Sequence, residues 1–252
     1  MSSILILLKK DWLELKKHAI SLIFFILISP IFLHILLAIP LSNFIVLDVR
    51  YLNWSSAGIW IYTSSIIAFI IPVISIMKIN IYSSEIDAIL QTPISNYQLI
   101  ISIIIKGFFV GFLQLFVAFI ITSTLKQEYF NTIQVLVIFF NMAIIIMMFS
   151  SIGTTLGLML SNMLSFIQIF IFFSLILCFG MGIFIPLDYF PDAYSGVVKM
   201  FPLTNTFTNV QSAIINESIN WLSLFLTIIM EAIFIIVSFI LSHKVFRAYE
   251  KK

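Results

Sequence analysis

The 252 residues are 62% hydrophobic and 10% charged, with a net charge of +2, whereas an ordinary soluble domain is roughly 25% charged. That excess excludes a water-soluble globular fold, and so small a basic balance argues against nucleic acid as a partner. One cysteine, Cys178, and three scattered histidines, His18, His34 and His243, exclude an internal disulfide and leave no metal site at ligand spacing.

A bilayer core about 30 Å thick takes roughly 20 apolar residues per helix, because in lipid the backbone must bond to itself. The sequence has room for six such spans in a single all-α transmembrane domain. Residues 3–18 fall short of one: Leu8, Trp12 and Leu15 recur at helical spacing among Lys9, Lys10, Glu14, Lys16 and Lys17, the pattern of a helix lying in the membrane interface. The first span, 20–41, exceeds a signal-peptide core and is read as retained. It contains Pro30 and predicts a kink there, with a neighbouring helix bonding the carbonyl that proline frees. Residues 42–56 carry Asp48, Arg50, Tyr51 and Trp54 and read as a polar loop with its aromatics at headgroup depth.

Spans two to six are expected at 57–78, 99–124, 133–159, 164–185 and 220–242. Gly107 and Gly111 in the third, and Gly153 and Gly157 in the fourth, form small-xxx-small faces that permit close helix approach. Only Ser161, Asn162 and their immediate neighbours separate spans four and five, which predicts a tight antiparallel hairpin. With this layout Lys9, Lys10, Lys16, Lys17, Lys78, Lys106, Lys244, Arg247, Lys251 and Lys252 fall on one side, and Arg50, Lys126 and Lys199 on the other. The asymmetry places both termini in the cytoplasm of a bacterial-type inner membrane.

Two non-spanning stretches stand out. In residues 82–95, Ser84 and Asp87 suit a helix N-terminus, Pro93 suits its end, and Tyr82, Ile86, Ile89 and Leu90 line one face. Such a helix either rests on the membrane or docks into a partner's groove. Residues 186–215 intersperse Pro186, Pro191, Gly196 and Pro202 with pieces too short to cross, such as 193–201 and 207–215. They predict a re-entrant or interfacial helical hairpin on the outer side.

These parts, in this order, resemble the permease family of type-2 ABC transporters over nearly the whole chain. The resemblance rests on the N-terminal interfacial helix, on Glu85-Ile-Asp-Ala-Ile-Leu-Gln-Thr-Pro-Ile-Ser95, and on Gly182-Ile-Phe-Ile-Pro-Leu-Asp-Tyr-Phe-Pro191 followed by Phe201-Pro-Leu-Thr-Asn205. It implies an exporter subunit that forms half of a translocation pathway, as a homodimer or with a paralogous permease, over two ATPase subunits. Tyr82, Glu85, Ile86, Asp87, Ile89, Leu90, Gln91, Thr92 and Pro93 would form the coupling helix that docks on the ATPase. Pro186, Phe190, Pro191 and Pro202 would belong to the external gate. The family often has a glycine near Ser84 and an arginine near Gln211, and neither occurs here. No Gly-x-x-x-x-Gly-Lys-Ser/Thr phosphate loop is present, so ATP and Mg would be used by the partner, and this chain is expected to be no enzyme and to bind no cofactor.

Glu231 is the one carboxylate expected in mid-span, where a charge costs about 2.5 to 3.5 kcal/mol on insertion scales. Ser223, Thr227, Glu231 and Ser238 share a face of span six, which therefore points into protein. A structural hydrogen bond, to Asn141 or Gln114, is one reading of the glutamate, and proton coupling or substrate contact is the other. His34 and Gln168 pose the same question. Phe24, Phe25, Phe32, Phe69, Phe166, Phe170, Phe172 and Phe173 read as lipid-facing rings or as an aromatic rail for a substrate. Two further functional classes stay open: an ion- or proton-coupled secondary transporter, in which Glu231 would be central, and a non-transporting membrane scaffold.

Overall fold

A computed structural model describes residues 3–47, 50–81, 95–126, 131–160, 162–215 and 220–249. Among them the regular structure is helical throughout: α1 (Ser3–Lys17), α2 (Ala19–Leu41), α3 (Tyr51–Ile81), α4 (Asn96–Lys126), α5 (Thr132–Met159), α6 (Met163–Gly180), α7 (Asp192–Val198), α8 (Pro202–Ile215) and α9 (Trp221–Tyr249). Six of these, α2 to α6 and α9, are long and apolar enough to cross a membrane, and the chain is a multi-pass membrane protein. The segment expected to form the coupling helix, Tyr82 to Thr92 with Pro93, lies outside the described residues, as do Asp48 and Ser161.

Helix starts follow the side chains that supply caps. Gln98 N–H meets Ser95 Oγ at 3.4 Å while Gln98 Oε1 accepts from Ser95 N–H at 3.1 Å, a capping box before α4. Asn131 N–H donates to Gln134 Oε1 at 2.8 Å before α5. Asn162 and Asn220 accept from the N–H groups of Ser165 and Ser223, starting α6 and α9.

Helix α3 forms the centre, with 78% of its apolar stretch buried, against 22% for α2 and 17% for α6. Both predicted glycine faces pack on it. Added Cβ atoms at Gly107 and Gly111 would stand 2.9 and 3.0 Å from the carbonyl oxygens of Ala68 and Ser64, and one at Gly153 would stand 2.4 Å from that of Phe69. A Cβ at Gly157 would meet Val73 Cα at 3.0 Å. Backbone thus touches backbone, which only glycine allows.

Helix α2 continues through Pro30 and loosens into a π-helical turn at His34–Ala38. Proline lacks the N–H that would bond the carbonyl four residues earlier, and that carbonyl, of Ile26, accepts from Gln114 Nε2 at 3.3 Å. The neighbour expected to compensate is therefore α4.

Three sequence expectations change. Tyr51 and Trp54 do not lie in a loop. They belong to α3 and are buried, stacked at 5.5 Å, with Trp54 edge-on to Phe207 of α8. Span five stops at Gly180 rather than 185, because Gly182 turns the chain with φ +75°. Lys106 does not sit at a helix end: it lies ten residues into α4, about 15 Å along it, and is buried.

Lys106 is accommodated by α1. Trp12 of α1 points outward while Leu7, Asp11 and Glu14 face the bundle. Lys106 Nζ lies 2.9 Å from Glu14 and 3.3 Å from Asp11, and Lys78 at the end of α3 lies 2.9 Å from the other Glu14 oxygen. Burial alone would raise the Glu14 carboxyl, but hydrogen bonds from Lys106 and Lys78 outweigh it and hold the group down at about 2. Asp11 is raised by burial, which Lys106 only partly opposes.

A depressed carboxyl stabilises the fold fully above its ordinary value of 4.5, and this contribution is lost as pH falls toward about 2. The combined change Asp11→Asn with Glu14→Gln strands a buried ammonium and should cost about 3 to 5 kcal/mol. Lys106→Met removes the buried charge itself and should cost less. Thermal midpoints of the purified chain at neutral pH should fall in that order, and equal midpoints for the double variant and the parent would show that the clasp contributes nothing.

Candidate functional site

The outward surface holds a groove of about 260 Å³ between α2 and α3, lined by Phe24, Phe25, Ile28, Ser29, Phe32 and Leu33 of α2 and Tyr62, Thr63 and Ile66 of α3. Its hydroxyls are turned to the protein. Ser29 receives a hydrogen bond from Gln114 at 3.2 Å, Thr63 donates to the Ile59 carbonyl at 2.8 Å, and Tyr62 pairs with Ser174 of α6 at 2.6 Å. The groove offers a ligand methylene groups and rings.

The Tyr62–Ser174 pair makes α6 the third neighbour of this groove. Of the eight phenylalanines, Phe24, Phe25, Phe32 and Phe172 are exposed, and the first three line the groove. Phe69 and Phe166 are buried, and Phe69 and Phe173 join Phe149 in a ring cluster inside the bundle. A continuous rail of all eight is not formed.

Beyond Tyr62 the groove's neighbourhood is capped by the chain that follows α6. A helix end leaves carbonyls without intrahelical donors, and here hydroxyls from three elements take their place. Tyr194 of α7 donates to Gly180 O at 2.8 Å, Thr204 of α8 to Met181 O at 3.3 Å, and Tyr51 of α3 to Phe184 O at 2.6 Å. Ile183 and Phe184 are completely buried, with the Phe184 ring edge-on to Tyr62 at 5.9 Å. Gly58 makes room, since a Cβ there would stand 2.6 Å from Ile183 O.

The expected gate residues surround this cap. Pro186 is buried and starts the short 3-10 turn Leu187–Tyr189, Phe190 stacks on Tyr194 at 5.1 Å, and Pro191 is exposed before α7. Pro202 is buried as the first residue of α8. Gly58 and Tyr194 are not singled out by the sequence, and Tyr51 and Thr204 are named there without this role. Gly182 signals the break itself, but nothing local connects the tyrosine that starts α3 with a carbonyl 133 residues later.

Helix α8 runs antiparallel to α9 and is joined to it by polar contacts. Asn209 donates to Thr227 at 3.1 Å and accepts from Ser223 at 2.8 Å. Deeper, Thr206 Oγ1 is in hydrogen-bond contact with Glu231 Oε1. Glu231 is fully buried, and its polar face points into protein as expected, but neither Asn141 nor Gln114 is the partner seen. Gln114 serves α2, and Glu231 Oε2 and the Asn141 amide have no hydrogen-bond partner among the described residues. His34 is buried at the start of the π-helical turn of α2. Near the start of α5, Gln134 Nε2 donates to Ala213 O of α8 at 3.1 Å.

No protein-family model matches the chain, and no curated protein shows significant similarity to it.

Removing the Tyr51 hydroxyl leaves the buried Phe184 carbonyl without its donor, a loss of about 1 to 3 kcal/mol. Cys178, buried in the last turn of α6, reports on that loss. Tyr51→Phe should raise its alkylation rate about tenfold, and an unchanged rate would show that this bond does not hold the cap.

Proposed function

We propose that the chain is the permease subunit of an ATP-driven exporter of the type-2 ABC class, forming half of a membrane pathway and coupled to a separate ATPase. The observation that carries this reading is the groove bordered by α2, α3 and α6, with the outer faces of α2 and α6 left uncovered. A second copy, or a paralogous permease, set against α2 and α6 would turn two open grooves into one enclosed path. The expected lining by spans one, two and five agrees with these helices.

The remaining parts fit the same scheme. Thr206 meets Glu231 ten residues into α9, about 15 Å from its start, while Ala213 lies beside the start of α5. This placement supports an α7–α8 hairpin that re-enters the membrane from outside and caps the path, with both termini in the cytoplasm. Residues 82–95 connect α3 and α4, the two helices clasped by Glu14 through Lys78 and Lys106. A partner pushing on the coupling segment would therefore move α1, α3 and α4 together, a rigid-body transition.

Isolation of the full-length chain from its native membrane should bring with it an ATPase carrying a phosphate-binding loop. Replacing Glu85, Ile86 and Asp87 together by alanine should cut that association at least about tenfold, a loss of about 1.4 kcal/mol or more. An intact chain that carries no ATPase, under conditions that preserve its fold, would contradict the assignment.

A further inference from the structure

We propose that the outward face of α1 is a binding surface for anionic lipids, with Lys9, Lys10, Lys16 and Lys17 gripping headgroup phosphates around Trp12 and Leu13. The proposal does not depend on the permease reading, because it rests on how one helix sorts its charges and on the depth at which the bundle holds it.

Helix α1 carries two acids and four lysines. Both acids face the bundle, where Asp11 and Glu14 hold Lys106 and Glu14 also holds Lys78. All four lysines are exposed, and among the described residues none of them is ion-paired. The clasp thus takes from the outer face the carboxylates that would neutralise it. Lys244 and Arg247, exposed near the end of α9, add to the same end of the molecule, since Val245 and Phe246 between them pack on the cluster that contains Leu7. Of the other described carboxylates, Asp188 and Asp192 lie beyond α6 at the opposite end of the bundle, and Glu231 is buried.

The lysines are also placed by register. Trp12 has Lys9 three residues before it and Lys16 four after it, and Leu13 has Lys10 and Lys17 at the same offsets. Each apolar side chain therefore has a lysine on either side of it along one helix face. Trp12 is 68% exposed and Leu13 53%, so both are offered outward together with the ammonium groups. An indole and a leucine set between lysines suit neither bulk water nor hydrocarbon, but they suit the layer where the two meet.

Depth agrees with this. Residues 107–125 of α4 include no charged side chain, and from Lys106 to the end of that helix is about 30 Å, the thickness of a hydrocarbon core. Lys106 thus marks one boundary of the core, and α1, ion-paired to it, lies in the headgroup layer. His18 alone separates α1 from the span α2. The anions at that depth are lipid phosphates, which lysines near the surface attract. An acidic protein segment would have to displace that lipid to reach Trp12.

The test reads tryptophan fluorescence of the full-length chain in phosphatidylcholine vesicles that contain a minor fraction of brominated phosphatidylglycerol or, in parallel, of brominated phosphatidylcholine. The Trp12 signal is the difference between the parent and Trp12→Phe. Trp221, exposed at the start of α9 at the opposite end, is isolated in the same way with Trp221→Phe. In low salt the anionic quencher should act on Trp12 at least about threefold more strongly than the neutral one, with the preference shrinking in high salt. The two quenchers should act equally on Trp221. Replacing all four lysines by glutamine should abolish the preference, and replacing them by arginine should keep it, which separates charge from folding. The proposal is overturned if both quenchers act equally on Trp12, if Trp221 shows the same preference, or if the glutamine variant retains it. It is overturned too if millimolar inorganic phosphate removes the preference, which would make the ligand a free anion, or if neither quencher reaches Trp12, which would mean that a protein partner covers α1.

Discussion

Four glycines bring α4 and α5 against α3 so closely that main chain meets main chain, and the rest of the bundle is arranged around that contact. In lipid, helix association gains little from apolar burial and much from close van der Waals packing. Gly107 and Gly111 on one side of α3, and Gly153 and Gly157 on the other, fix three helices as a unit with α3 enclosed. The remaining spans have no comparable glycine contact with α3 except at Gly58, where the visitor is the broken chain after α6. What is left exposed on α2, α6 and α9 follows from that choice of centre.

The same structure shows how a membrane bundle handles backbone and charge that cannot reach water. The Ile26 carbonyl freed by Pro30 is bonded by Gln114, and three carbonyls at and just beyond the end of α6 are bonded by Tyr194, Thr204 and Tyr51. Lys106 is met by two acids from α1. Each irregularity is compensated by a side chain from a different element, so the kinks and breaks act as tertiary links. Two such links tie α1 to α3 and α4, and α6 to α3 and α8, at opposite ends of the bundle.

The spans were legible in the sequence because apolar length alone demands them, and the glycine faces because spacing of four places both residues on one side. The buried face of α9 was legible for the same reason. The partners were not. A carboxylate at position 231 announces that something must satisfy it, but Thr206 belongs to a segment whose depth is set by packing. Likewise Glu14 reads as one of the charges of an interfacial helix until Lys106 is found against it and Asp11. Tyr51 and Trp54 look like interfacial aromatics by type, and they are covered by protein because the chain from 181 to 207 folds back over them.

Taken with the proposed function, this architecture divides the subunit into a fixed core of α3, α4 and α5 and a movable wall of α2 and α6 around the groove. Distances between spin labels test that division most directly, with the full-length chain reconstituted beside the ATPase proposed as its partner. One pair is placed on exposed positions of α2 and α6, Phe25 and Ile171, and the other on exposed positions of α4 and α5, Phe109 and Met147. Addition of ATP should shift the α2–α6 distance and leave the α4–α5 distance unchanged. An α2–α6 distance indifferent to ATP, or an equal shift in both pairs, would contradict a groove opened around a rigid core.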